Sequence, residues 1–191
     1  SLPPDFHWIN EPTQWSFSEK GLTIQASPKA DFFRDPAGKF INDSAHFLYM
    51  NYDGDFTLST KVSVDMIDDF DSGCLMVMVD EQNWAKVCYE YTYKRPTIVS
   101  VVTKGVSDDC NSAVVPDSGV YLRMTRFDDC FAFHYSLDGK WWGLVRYFHL
   151  PCTGPVKIGV VAQSPTGDGC QVNFANLEYS TTGIRDLRAG V

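Results

Sequence analysis

Glutamate is scarce in this chain of 191 residues: only positions 11, 19, 81, 90 and 178 carry it, against 19 aspartates. Aspartate serves turns and strand ends, whereas glutamate serves helices, so the imbalance points to β structure. No two glutamates stand two or four residues apart, so the E-x-D-x-E strand of many sandwich glycosidases cannot be built. No C-x-x-C pair exists, which removes zinc ribbons and thioredoxin-type motifs. The phosphate-cradling G-x-x-x-x-G-K-[S/T] and G-x-G-x-x-G loops are missing, as are H-E-x-x-H and G-x-S-x-G. Apolar runs never approach the roughly 20 residues that span a bilayer. Basic residues are outnumbered, 16 to 24, for a net charge of −8. Such a surface repels phosphate backbones and anionic headgroups, so we expect neither nucleic acid nor membrane as a partner.

What is present is an ordinary globular composition, 44% hydrophobic and 21% charged, in a length that suits one domain. Strand patterns fill it. Residues 54–64 alternate, with Phe56, Leu58, Val62 and Val64 on one side and Thr57, Ser59, Lys61 and Ser63 on the other. Residues 74–79 form an apolar run, followed by a turn at 80–83 and renewed alternation to Tyr91. Further strands are read at 22–26, 46–49, 98–103, 120–127, 130–137, 140–150, 155–163 and 170–178. Asp138-Gly139 is a strong hairpin signal of the type I′ kind. Turn signals recur about every ten residues and no stretch has a helical period. The reading is an all-β sandwich over residues 1–180, with a tail at 181–191 that loses the strand pattern.

Cys74, Cys88 and Cys130 sit within apolar strands, as reduced structural thiols do. With no basic or apolar signal region at Ser-Leu-Pro-Pro, they predict a cytoplasmic protein. Four aspartates between 65 and 71 lack the spacing of an EF-hand and read as a solvated hairpin tip, and the four histidines are scattered, so we expect no metal and no cofactor.

Period two places Trp84, Lys86, Cys88 and Glu90 on one face of their strand. An indole, an ammonium and a carboxylate together can stack a ring and bond hydroxyls, as a sugar site does. A surface Lys86–Glu90 pair beside a partly exposed Trp84 is the plainer alternative. Arg34, His46, Arg123, His134 and Gln163 are further polar candidates. Arg123 and His134 each point away from the apolar face of their strand.

Several segments together are familiar. They are Trp8-Ile9-Asn10-Glu11-Pro12, Asp31-Phe32-Phe33-Arg34, His46-Phe47-Leu48-Tyr49, Gly54-Asp55-Phe56-Thr57, Asp80 to Lys86, Tyr135 to Gly139 and Ala162-Gln163-Ser164-Pro165. In this order they resemble the DUF1349 family of concanavalin A-like sandwiches, which includes a yeast enolase regulator. A more distant likeness is to the lectin-like accessory domain of some β-xylosidases. The resemblance implies a jelly roll of two antiparallel sheets with one curved inner face. It implies matching residues at Phe33, Arg34, His46, Trp84, Lys86, Glu90 and Gln163, with Trp more usual than Phe beside the arginine. Members usually carry small or apolar residues where Cys74 and Cys88 stand, which supports reduced thiols. The reading is therefore a non-catalytic carbohydrate-binding or carbohydrate-sensing protein. Its alternatives are a regulatory protein that binds a metabolic enzyme and a glycan-active enzyme. Candidate ligand residues are Arg34, His46, Trp84, Lys86, Glu90, Arg123, His134 and Gln163, none of them catalytic.

Overall fold

The computed structural model describes residues 4–191. Sixteen strands follow one another: β1 (His7–Ile9), β2 (Trp15–Ser18), β3 (Gly21–Ala26), β4 (Phe32–Arg34), β5 (Ile41–Asp43), β6 (His46–Tyr52), β7 (Phe56–Val64) and β8 (Ser72–Asp80). The second half holds β9 (Asn83–Thr92), β10 (Arg95–Lys104), β11 (Val106–Val114), β12 (Val120–Phe127), β13 (Cys130–Ser136), β14 (Gly143–His149), β15 (Val156–Gln163) and β16 (Cys170–Ser180). Two seven-stranded antiparallel sheets result. The first runs β1-β6-β15-β8-β9-β10-β11, and the second β14-β13-β12-β7-β16-β3-β2. A separate β4–β5 hairpin completes the fold. Among the described residues no helix is long and apolar enough to cross a membrane.

Alternation explains the main core. Phe56, Leu58 and Val62 of β7 are buried between the sheets, as are Ala85, Val87 and Tyr89 of β9. Each large apolar side chain so buried contributes about 1.5–3 kcal/mol. Thr60 shares the inward face of β7 and is equally buried; it donates Oγ1 to the Ala175 carbonyl at 2.8 Å, which offsets its desolvation.

A second cluster lies on the outer side of the first sheet. Cys74, Met76 and Met78 of β8, Trp84 and Cys88 of β9, and Val99 and Val101 of β10 pack there beneath Phe32. The segment between β3 and β6, which carries the β4–β5 hairpin, crosses this face as a strap. It is fastened by the Arg34 amide donating to Ser107 Oγ of β11 at 2.9 Å, and by Arg34 Nε donating at 2.7 Å to the carbonyl of Gly105 in the β10–β11 turn.

Two expectations about local structure change. The 138–139 turn is not a two-residue I′ hairpin, because only Gly139 has positive φ, at 75°. Instead residues 137–142 form a loop closed by the Asp138 carboxylate, which accepts from the amides of Lys140 at 2.8 Å and Trp141 at 3.0 Å. The acidic run at 65–71 is more than a solvated tip. Asp71 is fully buried, accepting from the amides of Ile67 and Asp68 and, at 2.7 Å, from Ser164 Oγ.

All six cysteines are free, with Cys74, Cys88 and Cys170 buried and Cys110 exposed. Cys74 and Cys88 face each other across β8 and β9, their sulfurs 3.0 Å apart.

Candidate functional site

Beside the strap, the outer face of the first sheet holds a groove of about 420 Å³. Lys86, Glu90 and Gln163 line it together with Asp31 and Phe33 from the strap and Asp109 and Asn111 from β11. At its base Lys86 is almost fully buried, and its ammonium uses all three donors on protein. It donates to Asp31 Oδ1 at 3.2 Å, to the Phe32 carbonyl at 2.7 Å and to Gln163 Oε1 at 2.9 Å. Burial works against the charge, but the Asp31 carboxylate leads a group of nearby anionic and thiol groups that outweighs it, and the Lys86 pKa is raised.

The amide of Gln163 is oriented by this bond. Its oxygen must face the Lys86 ammonium, so its nitrogen faces the other way, and that nitrogen finds no acceptor among the described residues. Gln163 is 2% exposed, and the little surface it keeps lies at the groove wall, where its amide nitrogen stays open to the groove. Glu90 accepts from Thr92 Oγ1 at 2.6 Å through Oε2 and has its other oxygen free. Burial pushes the Glu90 carboxyl up to about 7, with Thr92 and Lys86 pulling in the opposite direction. Asp109 is also raised by burial, with Lys86 opposing. Phe40 and Tyr93 stand at the rim with 53% and 74% of their surface open.

The other sequence candidates lie elsewhere. Trp84 is 2% exposed and packs on Phe32 at a ring separation of 6.2 Å, so it supports the strap and offers no open platform. Trp84 and Arg34 border a smaller hollow of about 250 Å³, not the one that holds Lys86. His46 is buried and fixed: Nδ1 meets the Asn10 carbonyl at 2.6 Å and Nε2 accepts the Ser27 amide at 3.0 Å. Arg123 and His134 belong to the second sheet, on β12 and β13. There the C-terminal residues cover them, with Arg123 Nη2 donating to the Gly190 carbonyl and His134 Nε2 to that of Leu187, each at 2.7 Å. The eight candidates therefore do not converge on one pocket. Lys86, Glu90 and Gln163 meet; the other five serve packing and anchoring.

Asp31, Asp109, Asn111, Phe40 and Tyr93 were not singled out in the sequence. Asp31 stood within the family-like segment Asp31-Phe32-Phe33-Arg34, the one signal that pointed to it.

Residues 8–182 match the model of a protein family of unknown function, DUF1349. The chain belongs to the DUF1349 family. "Regulation of enolase protein 1" of Saccharomyces cerevisiae is 31% identical over 178 residues, covering 92% of this chain and 88% of the yeast protein. A solved structure of a functionally unknown protein from Saccharomyces cerevisiae superposes with a TM-score of 0.87 at 27% identity, over 95% of this chain and 98% of that one. The fold is shared more widely. A GH43 protein from Bacillus licheniformis matches at TM-score 0.76 and 14% identity, over 95% of this DUF1349 chain but only 37% of the larger protein. The carbohydrate-binding module CBM66 from Bacillus subtilis matches at 0.58 and 14%, over 91% and 94% of the two chains.

Proposed function

We propose that this DUF1349 protein is a non-catalytic carbohydrate-binding protein whose ligand occupies the groove over Lys86. The observation that carries the reading is the Gln163 amide, held by Lys86 so that an unpartnered donor faces a groove with two open aromatic rings at its rim. Buried polar groups with fixed directions and apolar rims are what a polyhydroxylated ring recognises. Lys86 has no donor left for a ligand. Its part is to hold Gln163 and Asp31 in place, while Gln163 donates to a sugar oxygen and Glu90, Asp109 and Asn111 bond hydroxyls. With three carboxylates around one ammonium, and Arg34 on the far side of the strap, the groove favours neutral sugars over acidic ones. The relation in fold to a carbohydrate-binding module supports the reading by analogy.

The test is a glycan array with the whole chain, followed by calorimetry on the best hit. Gln163→Leu should weaken that hit about tenfold, the worth of one well-placed hydrogen bond. Equal affinity in the variant, or no glycan bound, rejects the proposal. Product release from the bound glycan would instead establish an enzyme.

A second reading, a regulator that docks on a metabolic enzyme, draws on the name of the yeast relative and on a surface away from the groove. Leu137 and Trp141 stand 53% and 64% exposed on the 137–142 loop, where large apolar side chains commonly anchor a protein partner. Binding to purified enolase that is lost in Trp141→Ala would favour it.

A further inference from the structure

The turn between β9 and β10 carries residues that its geometry disfavours. Thr92 pairs with Arg95, so two central residues remain, Tyr93 and Lys94, with positive φ of 47° and 65°. That is the type I′ pattern, which Asn-Gly fills with little strain and a tyrosine fills poorly. Phe70, near the end of the 65–71 loop, also has a positive φ, 74°. Bulky side chains in this region of backbone space are outliers. The two aromatic outliers meet: the rings of Phe70 and Tyr93 lie 5.5 Å apart with 73° between their planes.

Neighbouring groups hold both in place. The Phe70 amide donates to the Tyr91 carbonyl at 2.7 Å, and the Lys94 amide donates to Asp69 Oδ1 at 3.0 Å. Tyr93 is exposed, so burial does not offset its conformation. Strained residues of this kind cluster at ligand clamps, and these two rings line the groove over Lys86. A second aromatic pair bounds the groove on the strap side. Phe33 and Phe40 stack there with ring centres 5.9 Å apart and 29° between planes. The strap is fastened at Gly105, next to the end of β10 that pairs with Asn83 and Trp84, whereas Tyr93 stands at the opposite end of β9. From Lys86 to Thr92 that strand runs about 20 Å. Glu90 projects from it between the two ledges.

We propose that the groove takes an oligosaccharide along its length, with one sugar ring against Phe33 and Phe40 and another against Tyr93 and Phe70. The inference rests on the sugar-binding function proposed above and names the class of ligand: a chain of two or more rings. A single ring is too short to touch both ledges. The apolar face of a sugar ring stacks on an aromatic side chain, and the hydroxyls between the ledges meet the polar groups of the floor. Tyr93 is then the residue that selects for chain length, at the expense of a more stable turn.

The probes are the β-1,4-linked xylose and glucose ladders and the α-1,4-linked glucose ladder, each from one to six units, titrated by calorimetry into the whole chain. In at least one ladder the affinity should rise at least tenfold from the single sugar to the longer members. Tyr93→Asn combined with Lys94→Gly installs the residues that the turn favours. This double variant should lose the rise while keeping the parent's affinity for the single sugar, and should melt about 2–4 °C higher than the parent. Tyr93→Phe retains the ring and should retain the rise, whereas Gln163→Leu should weaken every member alike. Affinity independent of length, an unchanged rise in the double variant, or a lower melting temperature in it overturns the proposal. If binding in those cases still depends on Gln163, the groove remains a sugar site for a single ring. No binding by any ladder also overturns the proposal, and an empty glycan array besides rejects the function on which it rests.

Discussion

Each sheet buries one cation on its outer side beneath a covering segment, and the two sites are built on opposite electrostatic terms. On the first sheet, Lys86 under the strap is neutralised by Asp31 and bonded three times, and its protonated form is favoured. On the second sheet, Arg123 under the C-terminal residues has no carboxylate in contact among the described residues. It has one carbonyl and the Trp142 ring, whose centre lies 4.2 Å from its guanidinium carbon, and its Nε has no partner. Burial accordingly lowers its pKa to about 10. The difference shows what each covering does. The strap leaves a groove walled by charge beside its cation, whereas the tail fills its site with its own carbonyls. A ligand finds fixed polar groups in the first and occupied ones in the second.

Removing the first cation should have the largest effect of all. Lys86→Met keeps the stem length but leaves the Asp31 carboxylate, the Gln163 oxygen and the Phe32 carbonyl unanswered in a nearly dry site. Breaking one side of such a pair costs about 3–5 kcal/mol, measured by urea unfolding. Adding Asp31→Asn to that variant should restore a good part of the loss, since the abandoned charge is then gone. If the single variant loses less than 1 kcal/mol, Asp31 is already well hydrated and the ion pair does not organise the groove.

Glu90 tests the same site from the acidic side. Its carboxyl is raised from 4.5 to about 7 in the fold, so between those values the folded chain holds a proton that the unfolded chain has released. Stability therefore falls as pH rises through this window, and the cost is complete above pH 7. Glu90→Gln removes the titration. The variant should match the parent near pH 4 and exceed it by about 2 kcal/mol at pH 8, a value set below the full shift because Glu90 is partly solvated. Parallel stability–pH curves for the two proteins would show that Glu90 ionises freely.

The sheets and their inward faces were legible in the sequence because a period of two survives wherever one side of a strand is buried, as at 56–62 and 84–90. The groove was legible only in part. Lys86 and Glu90 announce each other by spacing on one strand, but Asp31 lies 55 positions from Lys86 and is brought there by the strap. Strand β11 was missed altogether. It is an edge strand exposed along most of its length, so Val106 to Val114 shows no apolar alternation, and Asp109 and Asn111 were hidden with it. Arg123 and His134 were correctly turned away from the core, yet alternation cannot tell an open outer face from one that a distant tail covers.

Shortening the chain to end at Arg185 uncovers the second site. The carbonyls that receive His134 and Arg123 depart together, and the loss should be about 1–2 kcal/mol for two hydrogen bonds that water partly replaces. The pKa of His134 is lowered, mainly by burial, with the charge of Arg123 adding to the effect and the Leu187 bond opposing it. A lowered histidine contributes stability above its unfolded value of 6.5 that is lost as pH falls. Uncovering the ring should move its NMR titration upward and make the shortened chain less sensitive to acid than the parent. An unmoved titration would mean that strands β12 and β13 bury His134 without the tail.

The smallest effect should come from Arg123→Met, the counterpart of the Lys86 substitution. Here the departing cation leaves no anion behind. The lost contacts are one bond to the Gly190 carbonyl and the stacking on Trp142, each worth about 0.5–1.5 kcal/mol. Against them stands relief of a guanidinium that is 7% exposed, with one nitrogen unpartnered. The two contributions nearly offset, and a net loss of about 1 kcal/mol or less is expected by the same urea measurement. What decides is the gap between the two substitutions, which exchange a buried cation for the same thioether. If Arg123→Met costs as much as Lys86→Met, a buried cation is expensive to remove whatever surrounds it. In that case the Asp31 carboxylate is not what distinguishes the groove from the covered face.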